Sequence, residues 1–209
     1  MEFLVAMTTH VPAGTLDRTV DDIRSREAAH SRELAAQGHL RRLWRPARQP
    51  GEWRTLGLFA ADDGDDLQKL LASMPLHIWR NHEFTPLSPH PNDPLLARIV
   101  PSHTQPNEFL ITMTITVPEG TPAHIVNDTT AREAKRAREL AGHHLVRLWT
   151  LPTEPDRRRT LGLWRARDAP NMVAILESLP LYGWMTVETL PLIADPNDPA
   201  EPNGRAPDE

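Results

Sequence analysis

The sequence FLVAMTTHVPAGT at residues 3–15 returns as FLITMTITVPEGT at residues 109–121, an offset of 106 residues. The offset continues downstream, where Arg26-Glu27-Ala28 corresponds to Arg132-Glu133-Ala134. One residue is then lost, and at an offset of 105 the motif Pro91-Asn92-Asp93-Pro94 corresponds to Pro196-Asn197-Asp198-Pro199. A single gap over this length predicts that the chain is an internal duplication.

Each copy carries the same pattern of elements. In the first copy, residues 3–11 are rich in Val, Thr and Phe and predict a strand. A long helix follows over 15–37 and is ended by Gly38. Two strands follow, at 39–45 and 53–60. A second helix then runs to Pro75-Leu76, and a last strand is predicted at 77–87. This β-α-β-β-α-β order is the ferredoxin-like plan.

The duplication predicts how the chain is organised. We expect an α+β protein in which two ferredoxin-like (βαββαβ) repeats pack sheet-to-sheet as an intrachain pseudo-dimer of the dimeric α/β-barrel type. The covalent link gives each half a high effective concentration for the other. The expected divisions are a first repeat, a linker, a second repeat and a polar, proline-rich flexible tail: 1–95, 96–107, 108–195 and 196–209.

Composition excludes several classes of function. The formal net charge is −5 and the basic residues sit among acids, so we expect no nucleic-acid partner. The chain has no cysteine, which excludes disulfides, thiolate nucleophiles and Cys-ligated zinc. No histidine pair has the spacing of a helical metal site, so no metal is expected. No segment has the length of a membrane span and residues 1–10 lack the basic start of a signal peptide, so we expect a cytoplasmic protein with no membrane partner.

Several features in fixed order point to a family. They are Phe3 to Met7 followed by Val11-Pro12, Glu27 in the first helix, Gly38 followed by Arg41 to Arg45, and Met74-Pro75-Leu76 followed by His90-Pro91. Together they resemble muconolactone isomerase, almost end to end in each repeat. The resemblance implies a ferredoxin-like enzyme that moves a double bond in an unsaturated lactone by proton transfer, without a metal or organic cofactor. It also implies a small hydrophobic or lactone substrate and homo-oligomers built from pseudo-dimers.

The resemblance assigns roles to individual residues. Glu27 matches the helix glutamate thought to act as acid and base, and Glu133 is its equivalent in the second copy. A base of this kind needs donors for the developing enolate oxygen, and Arg45 or His39 would supply them. The expected substrate-binding residues are these: His30, Trp44, Trp53, Thr55, His144 and Trp149.

The two copies differ at these positions. Where the family has a Tyr and an Asn on the third strand, this chain has Trp53 and Thr55, which puts the ancestral lactone in doubt. Arg45 is kept in the first copy but becomes Thr150 in the second. Because the first copy also has His30 near its glutamate, the sequence favours the first site as the more active one.

Several functions remain open at this stage. The reaction is a double-bond shift, an elimination or a cyclisation on an unsaturated lactone or polyketide-like ring. A non-catalytic small-molecule-binding module and a cofactor-free oxygenase of the related ferredoxin-like type are the alternatives. A buried Glu27 beside a cavity would favour an enzyme, whereas an exposed Glu27 would favour a binding module. The six tryptophans serve either as core or as a stacking wall.

Overall fold

The computed structural model describes residues 1–46, 53–102, 105–152 and 158–200. The first repeat forms four strands and two helices: β1 (Glu2–Thr9), α1 (Asp17–Ala36), β2 (Leu40–Pro46), β3 (Trp53–Ala60), α2 (Gly64–Ser73) and β4 (Arg80–Pro89). The second repeats the series: β5 (Asn107–Ile115), α3 (Ala123–Leu140), β6 (Leu145–Thr150), β7 (Arg158–Ala166), α4 (Ala169–Glu177) and β8 (Met185–Ala194). Residues 47–52, between β2 and β3, and the predicted tail beyond Ala200 lie outside the described ranges.

The chain divides into two compact units that do not coincide with the two repeats. The first unit contains Met1–Leu87 and also the residues from Ile193 onward, while the second contains Ser88–Leu192. The segment that begins at Ser88, at the end of the first repeat, therefore belongs to the second unit. The segment that begins at Ile193, at the end of the second repeat, belongs to the first unit. This division places the beginnings and ends of the two repeats in different units.

The first unit has an antiparallel sheet with the order β4-β1-β3-β2. Val5 of β1 lies opposite Gly57 of β3 on one side and Phe84 of β4 on the other. Strand β2 pairs with the free side of β3, so that Leu43 lies opposite Gly57. The helices α1 and α2 connect these strands in the predicted βαββαβ order, which confirms the ferredoxin-like α+β prediction for this unit.

The second unit repeats this architecture with the order β8-β5-β7-β6. Ile111 of β5 lies opposite Gly162 of β7 and Thr189 of β8, and Leu148 of β6 also lies opposite Gly162. The second ferredoxin-like unit is confirmed by this register. Within the described ranges, no helix combines the length and the apolar composition that crossing a bilayer requires.

The core of each unit lies between its sheet and its helices. Alternate residues of β1 are buried, so Phe3, Val5 and Met7 face the core, as the period of two requires. Leu34 of α1 and Leu67 of α2 belong to the same buried cluster. An equivalent cluster in the second unit is formed by β5, α3 and α4, and includes these residues: Phe109, Ile111, Met113, Leu140 and Met172.

A glycine on the third strand of each repeat makes room for an aromatic ring two residues further on. A Cβ on Gly57 would collide with the ring of Phe59, and a Cβ on Gly162 would collide with the indole of Trp164. Both rings are buried. The Thr-Leu-Gly-Leu sequence shared by the repeats is therefore explained by close packing over the sheet.

The Pro-Asn-Asp-Pro motifs fasten the exchanged segments. In the first unit, the Asp198 carboxylate accepts hydrogen bonds from the Arg42 guanidinium (Nη2 to Oδ2, 2.9 Å) and from the Leu43 N–H (3.1 Å). In the second unit, Asp93 accepts from Arg147 Nε (3.1 Å) and from the Leu148 N–H (3.2 Å). Both aspartates are buried, so each carboxylate replaces its lost water with charge-assisted hydrogen bonds.

The last strand of each repeat begins later than predicted. Residues Pro75–Trp79 form a 3-10 turn, and β4 starts at Arg80 where the sequence predicts a strand from residue 77. Proline at the first position suits the start of a turn because its missing N–H needs no partner. A matching turn over Tyr182–Trp184 precedes β8.

We predict that Asp198→Asn lowers the free energy of unfolding by roughly 3 kcal/mol, because it removes the negative charge from the buried hydrogen bonds that the Arg42 guanidinium donates to Asp198. The Arg42 and Asp198 side chains are 12% and 0% exposed. Urea denaturation at pH 7 measures the change. The matched control is Asp22→Asn, which breaks an exposed pair with Arg26 and should change the value by less than about 0.5 kcal/mol. Equal losses in the two variants would contradict the prediction.

Candidate functional site

Each unit contains a cavity between its long helix and its sheet. The cavity of the first unit measures about 440 Å³ and that of the second about 430 Å³. Both volumes fall in the range of small-molecule sites. The helix side of the first cavity is formed by residues spaced at i, i+3 and i+7 on one face of α1: Arg24, Glu27 and Ser31. The equivalent residues of α3 line the second cavity: Thr130, Glu133 and Ala137.

The glutamate in each cavity is held by the 3-10 turn. Oε2 of Glu27 accepts a hydrogen bond from the Leu76 N–H (2.9 Å), and Oε2 of Glu133 accepts one from the Leu181 N–H (3.0 Å). Each amide belongs to the residue after a proline, Pro75 or Pro180. Leu76 is the second residue of its turn, where an N–H has no partner within the turn itself, and Leu181 immediately precedes its turn as the N-cap. The Pro-Leu sequence thus positions the carboxylate that faces each cavity.

In the first unit, an arginine neutralises the glutamate. Nη1 of Arg80 donates to Oε1 of Glu27 at 2.7 Å, and the two side chains are only 8% and 9% exposed. Both oxygens of Glu27 are therefore engaged, one by a guanidinium and one by a backbone amide. A carboxylate held in this way is a poor proton shuttle, because taking up a proton would leave Arg80 without its counter-charge.

In the second unit, the position of this arginine is occupied by Met185. Met185 lines the cavity, and the only hydrogen bond made by the Glu133 carboxylate within the described residues is the one from Leu181. Burial raises the pKa of Glu133 above its ordinary value, and the hydrogen bond from Leu181 lowers it by a smaller amount. A carboxyl group with a raised pKa, partly buried beside an apolar wall, has the properties required of a general acid and base.

The two cavities differ in the character of their walls. The first is strongly charged, with four arginines and two acids: Arg24, Arg45, Arg54, Arg80, Glu27 and Asp195. The second is mainly apolar around Glu133 and keeps positive charge at Arg158 and Arg159. Within the described ranges, no group of three or more His, Cys, Asp or Glu residues is placed to hold a metal ion.

The arginines Arg24 and Arg45 give the first cavity its excess of positive charge. The Arg24 guanidinium lies over the ring of Trp53, with Cζ 3.8 Å from the ring centroid. Arg45 Nε donates to Oδ2 of Asp195 at 2.7 Å. The pKa of Arg24 is lowered chiefly by burial and, to a smaller extent, by the nearby charge of Arg45, while Asp21 acts in the opposite direction.

His90 lines the second cavity, at the position that Asp195 occupies in the first. Its Nδ1 accepts a hydrogen bond from the Asn92 N–H (3.1 Å), so the proton of the neutral ring is on Nε2. Burial lowers the pKa of His90, although the charge of Asp93 raises it to a smaller extent. The ring is therefore a neutral N–H donor at neutral pH.

Four of the ten sequence-predicted residues line the first cavity, and one lines the second: Glu27, Arg45, Trp53, Thr55 and Glu133. The other five do not line either cavity: His30, His39, Trp44, His144 and Trp149.

Structural contacts account for those five side chains. His39 Nδ1 bonds to the Ala60 carbonyl, and His144 Nδ1 bonds to that of Arg165. His30 bridges Glu33 and Ser73 on another part of the helix surface. Trp44 and Trp149 are buried, each beneath the arginine two residues before it, with 4.7 Å between Cζ and the ring centroid.

The most informative site residues were missed because they lie far from the glutamate in sequence. Aligning the repeats at the offset of 105 pairs Arg80 with Met185 and Asp195 with His90. These differences are visible in the sequence. Their meaning depends on the turn that brings residue 80 to Glu27, and on the exchanged segment that brings His90 into the second unit.

The fold and the two cavities define a duplicated ferredoxin-like protein in which each unit places a glutamate carboxyl group in a small-molecule site. A family model described as muconolactone delta-isomerase matches residues 1–93 and 108–198. The chain belongs to this family, which confirms the resemblance, the tandem duplication and the expectation of an isomerase of this type.

Relatives of known name agree with this assignment. The chain is 32% identical over 92 residues to muconolactone delta-isomerase of Cupriavidus pinatubonensis, covering 44% of this chain and 97% of the relative. It is 30% identical to the enzyme of Acinetobacter baylyi, covering 44% and 93%. The solved structure of a heme-binding protein from Thermus thermophilus is similar to this chain with a TM-score of 0.57. The match covers 93% of this chain and 92% of that protein, and at 11% identity it shows a shared fold only.

We predict opposite effects on stability for the two glutamates. Glu27→Gln should lower the free energy of unfolding by roughly 3 kcal/mol, because it leaves Arg80 buried and unpaired. Glu133→Gln should leave it unchanged or raise it at neutral pH, because the amide oxygen still accepts from Leu181 and no charge is desolvated. Chemical denaturation of both variants measures the difference.

The pH dependence provides an internal control for Glu133. A carboxyl whose pKa is raised by folding costs stability as pH rises from its unfolded pKa through its folded one. The advantage of Glu133→Gln over the parent protein should therefore vanish at low pH and reach its full value above the raised pKa. A constant difference at all pH values would contradict this account.

Proposed function

We propose that the second unit is a cofactor-independent isomerase, in which Glu133 moves a proton between two carbons of an unsaturated lactone. The observation that supports this most strongly is the position of Glu133: a carboxyl group of raised pKa in an apolar cavity, without the arginine that neutralises Glu27. The sequence favours the first unit because that unit keeps Arg45 and His30. In the structure, however, His30 bonds to Glu33 and Ser73, and Arg45 bonds to Asp195. Neither residue gives the first unit a usable base.

The chemistry follows from the carboxyl group and its surroundings. The Glu133 carboxylate removes a proton from the carbon next to the carbonyl-conjugated system, and the electron pair moves into a dienolate. The same carboxyl group, now protonated, returns the proton to a different carbon, so the double bond shifts and no atom is gained or lost. A raised pKa makes the Glu133 carboxylate a stronger base for the first step, and the proton that it takes up is the one that it returns in the second.

His90 is our candidate for the group that stabilises the dienolate oxygen. Its Nε2–H is a neutral donor and the ring lines the same cavity as Glu133. Donors fixed in place before the reaction stabilise developing charge without reorganisation. Arg45 and His39, which the resemblance suggests for this role, have Thr150 and His144 as equivalents in the second repeat. The His144 ring is held by a backbone carbonyl away from the cavity.

Arg158 and Arg159 suit the recognition of an acidic substrate. Both line the second cavity and both are exposed. Their charge favours a lactone that carries a carboxylate, with the ring placed against the apolar wall near Glu133. This division of the cavity fits an isomerisation better than a reaction on a neutral polycycle.

We predict that Glu133→Gln lowers kcat for muconolactone isomerisation by about 10²- to 10⁴-fold, the usual contribution of a positioned acid and base. The rate of ultraviolet absorbance change on substrate addition, or proton exchange followed by NMR, measures it. The double variant Glu27→Gln with Arg80→Met removes the first carboxylate without leaving a buried charge, and should keep activity within about twofold. Full activity in Glu133→Gln would overturn the assignment.

The position that distinguishes the two sites provides a second test. In the parent protein, kcat/KM should rise with pH through the raised pKa of Glu133 and then level off, because only the ionised form is a base. Met185→Arg recreates the ion pair of the first unit, so it should lower that pKa, move the acid limb to lower pH and reduce the plateau. The other titratable groups of this cavity are His90, Arg158 and Arg159. An unchanged profile would contradict the role of Met185.

A binding function without catalysis is the better proposal for the first unit. Its glutamate is neutralised by Arg80, yet a cavity of similar size remains. The non-catalytic alternative raised by the sequence therefore applies to one half of the chain.

A further inference from the structure

The first cavity has the size of a small-molecule site, but its glutamate is paired with Arg80 and its wall carries several arginines. Two of its arginines are already committed in part: Arg80 to Glu27 and Arg45, through Nε alone, to Asp195. Arg24 forms no ion pair with an acid among the described residues and only stacks on Trp53. The cavity therefore holds guanidinium donors that form no ion pair with a carboxylate of the described residues.

The charge of Asp21 favours the charged form of Arg24, and the charge of Arg45 opposes it to a smaller extent. An anion placed between Arg24 and Arg45 would be attracted by both guanidinium groups. The stacked Trp53 ring fixes the plane of the Arg24 guanidinium, which prepares it for the planar, two-point recognition of a carboxylate. In the second repeat, both positions are threonine, Thr130 and Thr150, so this arrangement is confined to the first unit.

The rest of the first cavity provides a place for an apolar group. Its wall includes four apolar side chains from β1, from β2 and from the 3-10 turn with the residue before it: Met7, Leu43, Leu76 and Met74. We propose that the first cavity binds a small organic carboxylate without converting it, with the carboxylate between Arg24 and Arg45 and an apolar ring against this wall. This is a binding site additional to the proposed isomerase site, and it does not depend on that function.

The test uses benzoate as the probe and benzamide, its neutral analogue of nearly the same shape, as the comparison. Isothermal titration calorimetry on the full chain should show benzoate binding at least about tenfold tighter than benzamide, and weakening as salt rises. Arg24→Thr and Arg45→Thr, which introduce the residues of the second repeat, should each weaken benzoate binding by about tenfold or more. The matched control Arg26→Thr, an exposed arginine on the same helix, should leave binding unchanged.

The variants also separate this proposal from the isomerase assignment. Glu133→Gln should lower kcat for isomerisation by about 10²- to 10⁴-fold and leave the Arg24-dependent benzoate binding intact. Full isomerase activity in Glu133→Gln, together with retained benzoate binding, would defeat the proposed function alone. Benzoate that binds no tighter than benzamide, or binding unaffected by Arg24→Thr, would overturn the carboxylate site. Should Arg45→Thr unfold because Asp195 loses its partner, Arg24→Thr still decides the matter, since within the described residues Arg24 stacks on Trp53 and forms no ion pair that holds another element in place.

Discussion

The buried aspartate of each Pro-Asn-Asp-Pro motif is the interaction on which the arrangement of each site depends. Asp198 in the first unit and Asp93 in the second each bind an arginine of the second strand and the backbone amide that follows it. A carboxylate with these donors holds an otherwise irregular segment against the edge of the sheet. Three residues before each aspartate, the same segment presents Asp195 to one cavity and His90 to the other. The chemistry of the cavity walls thus follows from a structural ion pair.

Position 80 in the first repeat and position 185 in the second show how one side chain changes the way the neighbouring glutamate is held. Arg80 completes a buried ion pair with Glu27, which satisfies the carboxylate and commits it to structure. Met185 leaves Glu133 with a backbone hydrogen bond alone, so burial raises its pKa. A functional group that is destabilised by its surroundings is a common property of active sites. The duplicated chain contains both solutions, one in each unit.

Much of the fold was predictable from the sequence. The repeat, the period of two along β1 and the glycine that ends α1 indicate the order of elements, because they reflect local backbone geometry and burial. The glutamates were also predictable, because Glu27 matches the helix glutamate of the family and the repeat pairs it with Glu133. The ion pair of Glu27 was not, because it joins residues 53 positions apart through a 3-10 turn that reads as a strand. His39 and Trp44 were assigned to the site by strand position, but backbone hydrogen bonding and core packing account for their contacts.

The exchange of terminal segments has a consequence for how the chain reaches its native state during synthesis. The first unit requires Asp195 and Asp198, which are translated after nearly all of the second repeat. The second unit requires no residue before Ser88 and extends to Leu192, within its last strand β8. On the ribosome, the unit encoded first is therefore the unit that finishes last. Until then the segment that Asp198 joins to the second strand, through Arg42 and the amide of Leu43, is missing from the first unit.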